Sequence, residues 1–169
     1  MTTDSQSYEM STPTLIIGVG TEYRNDDAVG LIVARIIEDL AVPNVSVVEE
    51  SGEGVALMHT WEQAERVILI DAVSTDAEPG TIFRIEANRE PISSKLFRSS
   101  THQFGPAEAV ELSRALHELP ASLIIYGIQG SRFDFGAEVS DVVRKAADQV
   151  VTRILQELTS SFLPSMTEL

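Results

Sequence analysis

Apolar positions along the chain switch repeatedly between two periods. Leu15, Ile16 and Ile17 form a short run that breaks at Gly18 and Gly20, after which Val29, Ile32, Val33, Ile36, Ile37 and Leu40 recur at helical spacing. A strand, a turn and a helix in that order make the opening unit of a parallel α/β sheet. Pro43 and Asn44 punctuate the next turn, and NVSVVEE has the alternation and β-branching of a second strand. A loop from Ser51 to Gly54 leads into a helical segment, GVALMHTWEQAE. RVILIDAV follows, with an unbroken apolar run from Val67 to Ile70 closed by Asp71. Such a run is buried on both faces, as in a central parallel strand, which puts Asp71 at the carboxyl end of an interior strand.

The alternation continues downstream. TIFRIE predicts a more polar fourth strand at a sheet edge, its direction left open. From Ala87 to Phe104 no period emerges, and a connection of that length is more often functional than idle. Pro106 suits a first helical turn, with Val110, Leu112, Ala115 and Leu116 as the apolar side of the helix and Pro120 closing it. SLIIYGI is a fifth strand, and a stripe from Val139 to Leu158 marks the last helix. The pattern predicts a single α/β domain over residues 13–159: a twisted, mostly parallel five-stranded sheet with helices on both faces, between tails at 1–12 and 160–169.

Composition narrows the chemistry. The 169 residues include no cysteine, which removes thiol nucleophiles, cysteine-zinc knuckles, iron-sulfur ligation and disulfides, and fits a reducing compartment. No apolar run approaches the roughly 20 residues of a membrane helix, and the N-terminus lacks a signal core, so a cytoplasmic protein without membrane contact is expected. A net charge of -14 argues against nucleic acid as a partner and reads as a well-solvated surface. A monomer is the expected state.

Position then singles out three side chains: Asp27 after the first strand, Asp71 at the end of the third, and His102 in the long connection. If those two strands are neighbours, both carboxylates lie at one edge of the sheet near a switch point, where open α/β sheets bind ligands. Two carboxylates and an imidazole suit a divalent cation and admit nickel, iron, manganese or zinc without choosing among them. Asp26 reads as a cap of its own helix or as support for this set. His59 and His117 read as surface or packing residues. GVGTEY matches only half of a dinucleotide fingerprint, because Tyr23 fills the third glycine position, although Glu49 or Glu50 could imitate the ribose-binding acid. No GxSxG elbow exists, and Ser99 and Ser100 lack a strand-turn-helix context.

Taken together and in order, GVGTEYRNDDAVG, VILIDAV and STHQFGPAEAV resemble the nickel-iron hydrogenase maturation proteases, endopeptidases that trim the C-terminal extension of the hydrogenase large subunit. The resemblance spans Leu15 to Leu158. It implies that Asp27, Asp71 and His102 recognise nickel and carry the cleavage, and that the partner is a hydrogenase large-subunit precursor, cut after nickel insertion. With no cysteine to strengthen the ligand set, the nickel is expected to arrive in the substrate and not to reside in the protein. The chain departs from the family pattern at Glu50–Gly54, where many members have an aspartate and paired glycines, and at Gly130, where many have proline. These departures bear on which precursor is read. A non-enzymatic metal- or nucleotide-binding module on the same fold is the competing expectation.

Overall fold

A computed structural model describes residues 12–97 and 103–160. Five strands form one sheet: β1 (Thr14–Val19), β2 (Val45–Glu50), β3 (Arg66–Val73), β4 (Ile82–Glu86) and β5 (Ser122–Gln129), in the order β2-β1-β3-β5-β4. All pairings are parallel except that of β4 with β5. The connection 74–81 is too short to carry the chain back to the other end of the sheet, so β4 must run antiparallel at the edge. The mostly parallel α/β architecture expected from the pattern is therefore borne out.

Four α-helices cover the sheet: α1 (Val29–Asp39), α2 (Gly54–Trp61), α3 (Pro106–Ala115) and α4 (Asp141–Ser160). Successive strand residues point to opposite faces. Ile16, Ile68, Ile70, Ile124 and Ile128 meet α1 and α4 on one face. Ile17, Val67, Leu69, Leu123 and Ile125 meet α2 and α3 on the other. In β3 every residue from Val67 to Val73 is buried, as its continuous apolar run requires.

One expectation is corrected. The buried side of α3 is Pro106, Ala109, Val110 and Ser113, while Leu112 and Leu116 are exposed. Small residues at that spacing let α3 lie close to its neighbours, and the larger leucines are turned outward. The connection after β4, read as without period, sends Ala87, Ile92 and Phe97 into the α2/α3 side of the core. Most of both expected tails, residues 1–11 and 161–169, lies outside the described residues, as does His102. Among the described residues no helix is long and apolar enough to cross a membrane.

Candidate functional site

The sheet order reverses direction at β1, whose two neighbours are β2 and β3, so a crevice opens beyond their carboxyl ends. The approach of α1 depends on Gly30, where an added Cβ would sit 2.2 Å from the Val19 carbonyl oxygen and 2.4 Å from that of Ile70. Only a residue without a side chain lets the helix settle against the ends of β1 and β3. That approach draws the 3-10 turn Asn25–Ala28, which precedes α1, over the crevice.

Asp27 and Asp71 meet there. Asp71 ends up 3% exposed in the last part of β3, and Asp27 5% exposed on the 3-10 turn. The Asp27 carboxylate accepts a hydrogen bond from the Thr21 N–H at 3.1 Å, and that of Asp71 from the Ala72 N–H at 2.8 Å. Both line a cleft with Val19, Gly20, Thr21, Arg24 and Ser51, whose free volume of about 10 Å³ is close to what one water molecule occupies. Burial, and then the charge of Asp27, push the Asp71 carboxyl well above the usual carboxylate range, and the Ala72 N–H offsets only part of this. A buried carboxyl beside a second carboxylate calls for a proton or a cation.

His102 lies outside the described residues, and among those described no cluster of three or more His, Cys, Asp or Glu side chains could hold a metal ion. Both flanks of its segment are anchored near the same end of the sheet. Leu96 accepts from the Ser74 N–H, just beyond β3, at 3.4 Å, and Phe104 from the Gly54 N–H, at the start of α2, at 2.9 Å.

Asp26 does not cap its own helix. Its fully buried carboxylate accepts from the backbone N–H groups of Ser131, Arg132 and Ser140 at 2.8, 3.0 and 2.7 Å, and from the hydroxyls of Ser131 and Ser140. Burial pushes this carboxyl upward, but the donors win and hold it below its ordinary value. Asn25 bonds the Asp134 carbonyl and the Glu138 N–H, and Arg24 donates twice to the Phe133 carbonyl. Residues 24–26 thus fasten the 131–140 loop to the crevice. Sequence reasoning missed this knot; its signal was the run Asn25-Asp26-Asp27 ahead of an apolar helix, more polar groups than one cap needs.

The Ser51–Gly54 loop divides its duties. Ser51 lines the cleft, whereas the Glu53 carboxylate caps α2 by accepting from the Val55 and Ala56 N–H groups at 3.0 and 2.9 Å. At the other departure, the Gly130 N–H donates to the Val73 carbonyl at 3.1 Å, a bond that proline could not make. Glu49 is held by Arg35 and Glu50 accepts from the Thr60 hydroxyl, so neither presents a free ribose-binding acid. His59 and His117 are exposed.

A family model described as hydrogenase maturation protease matches residues 31–157. The chain belongs to the hydrogenase maturation protease family. A relative from Methanocaldococcus jannaschii that is named as a hydrogenase maturation protease is 30% identical over 150 residues, 85% of this chain and 95% of its own length. The hydrogenase expression/formation protein HupD of Bradyrhizobium diazoefficiens is 28% identical over 146 residues, 83% of this chain and 73% of its own. Among solved structures, the nickel-iron hydrogenase maturation protease HybD of Thermococcus kodakarensis superposes with a TM-score of 0.69 at 27% identity, covering 87% of this chain and 99% of that one. HybD of E. coli, a hydrogenase maturating endopeptidase, reaches 0.74 at 20% identity over 89% and 94%, a likeness of fold. In this member of the family the Asp27/Asp71 cleft thus sits at the switch point of a fold shared with HybD.

Proposed function

We propose that this hydrogenase maturation protease is a cytoplasmic endopeptidase that removes the C-terminal extension of a nickel-iron hydrogenase large-subunit precursor once nickel has been inserted. Asp27, Asp71 and His102 recognise that nickel, which belongs to the substrate. The observation that carries the reading is the buried Asp27/Asp71 pair on a cleft of about one water's volume. Two carboxylates on so narrow a cleft suit a metal ion presented from outside. The anchored flanks of the 98–102 segment support His102 as the third group.

The residues divide the work in a simple way. Asp27 and Asp71 supply negative charge, their backbone donors fix the oxygens, and the imidazole adds a nitrogen ligand. When bound, nickel supplies Lewis acidity beside the scissile peptide. A precursor without nickel brings no cation to the two buried carboxyls and is bound poorly, so cleavage waits for loading. A nucleotide-binding role is disfavoured, because the turn ahead of α1 carries Asp26 and Asp27 where a phosphate needs open N–H groups.

Cleavage assays on purified nickel-loaded and nickel-free precursor, with elemental analysis of the protease, test this reading. Expected are cleavage of the loaded precursor alone and no stoichiometric metal in the protease. A chelator-resistant metal that supports cleavage of the nickel-free precursor would overturn it.

A further inference from the structure

The cleft is too small to grip a polypeptide. With about 10 Å³ free beside Asp27 and Asp71, it has room for an ion or a water but for no substrate side chain. Affinity for a protein substrate has to come from the surface around its mouth.

That surface has one unusual feature. Phe135 is 86% exposed and Tyr23 61%, whereas every other described aromatic ring, in Trp61, Phe83, Phe97, Phe104, Tyr126 and Phe133, is buried or half-buried. Both exposed rings belong to the same bracket. The Gly136 N–H, next to Phe135, donates to the Tyr23 carbonyl at 2.7 Å, and the Asn25 N–H returns a bond to the Gly136 carbonyl at 2.9 Å. Arg24, between Tyr23 and Asn25, lines the cleft itself, so the bracket that carries the rings borders the site.

Holding the rings there is costly. Tyr23 and Asn25 have φ of 63° and 47°, conformations that side-chain-bearing residues seldom adopt. The loop that carries Phe135 is tied down by the buried Asp26 carboxylate, by Asn25 and by Arg24. A loop fastened by buried polar groups while its phenylalanine stays in water resembles a binding surface held in its bound shape, and rigid aromatic rings are the commonest anchors of protein interfaces.

We infer that Tyr23 and Phe135 form a docking platform for the extended segment of the precursor that carries the scissile bond, laying it across the mouth of the Asp27/Asp71 cleft. This inference rests on the endopeptidase reading for the identity of the partner. The platform contributes substrate affinity; the cleft contributes chemistry.

Two measurements with the nickel-loaded precursor as probe test it. In steady-state cleavage, Phe135→Ala and Tyr23→Ala should each raise KM about tenfold or more with kcat changed less than about twofold, while Tyr23→Phe and the remote exposed Leu116→Ala behave as wild type. In photo-crosslinking, Phe135→p-benzoylphenylalanine should attach to precursor residues flanking the scissile bond, and the same replacement at Leu116 should not. Unchanged KM in both alanine variants, or a crosslink absent or mapped elsewhere on the precursor, overturns the platform and leaves the endopeptidase reading standing. If the wild type does not cut the precursor but the flanking crosslink forms, the endopeptidase reading falls and the platform stands.

Discussion

Asp26 and Asp27 are consecutive residues of one 3-10 turn, 0% and 5% exposed, yet they are set in opposite environments. Asp26 is enclosed by donors from Ser131, Arg132 and Ser140 that hold its carboxyl below the usual range despite burial. Asp27 shares its cleft with Asp71, whose carboxyl is driven upward by burial and by Asp27 itself. One carboxylate fastens two loops through its donors; the other crowds a second buried carboxyl. Stability and chemistry are thus kept on adjacent residues, and the crowded pair survives because the donor-held carboxylate keeps the frame.

Breaking the crowded pair should have the largest effect. Asp71→Asn and Asp27→Asn should each reduce cleavage of nickel-loaded precursor by more than about 100-fold, since losing a ligand costs more than losing a ligand's own partner. Asp71→Asn should also raise the stability of metal-free protein by about 1 kcal/mol, because it removes a buried like-charge contact. Cleavage assays and thermal unfolding in chelator measure the two sides. An active Asp71→Asn variant would remove that residue from the site.

Breaking the satisfied side should do the reverse. Asp26→Asn leaves buried N–H groups facing an amide that cannot accept from all of them, at a cost of about 2–3 kcal/mol. The pH dependence separates the two carboxylates by sign. A carboxyl lowered by folding, as at Asp26, binds fewer protons in the native state, so its stabilisation is present above the ordinary aspartate range and is lost as pH falls through the folded value. A raised carboxyl, as at Asp71, binds more protons in the native state, so its contribution is full below that range and is lost as pH rises toward the folded value. Denaturant unfolding of metal-free protein across acid pH should show Asp26→Asn flattening the rise in stability above acid pH, and Asp71→Asn flattening a decline above the aspartate range. Equal slopes in both variants would contradict the opposed environments.

The sequence carried the sheet well because its signals were local and strong. The run Val67–Ile70 is buried as read, and so is the α4 stripe from Val143 to Leu158 apart from the half-buried Leu155, while Val142 at its start is exposed. Asp27 and Asp71 could be placed together because the turn after β1 and the end of β3 share one edge whenever those strands pair, as they do. What stayed illegible depends on contacts far apart in sequence. Nothing near Asp26 indicates that its donors come from residues 131–140, and α3 looks amphipathic through Leu112 and Leu116 only until its small-residue face is seen to pack. Ala87, Ile92 and Phe97 follow no period because they enter the core from a connection, one residue at a time.

A smaller test concerns the loop that departs from the family pattern. Glu53 occupies the N-cap of α2, and Glu53→Ala should cost about 1 kcal/mol through loss of the acceptors for Val55 and Ala56. Glu53→Asp should retain most of that stability, which distinguishes a cap from a substrate-reading carboxylate. If Glu53→Ala instead alters KM for the precursor at unchanged thermal stability, the side chain serves recognition.

The smallest effect is expected where the loop before the 3-10 turn is held from outside. Arg35 on α1 pairs with Glu22 and Glu49, both at 2.6 Å, and so ties the turn that carries Tyr23 to the end of β2. The bonds are short, but the side chains are 46%, 51% and 38% exposed, and water competes for every charge in the network. Exposed pairs of this kind commonly contribute about 0.5 kcal/mol or less each, so losing both with Arg35→Ala should lower stability by about 1 kcal/mol or less, and by less still at high salt. The contrast with Asp26 lies in desolvation: its carboxylate is fully buried and holds five donors at once, whereas Glu22 and Glu49 are exposed and simply rehydrated. Urea titrations of Arg35→Ala and Asp26→Asn at low and high salt decide the matter. A salt-insensitive loss at Arg35 as large as that at Asp26 would mean that the surface network, and not the buried knot, holds the loop over the cleft.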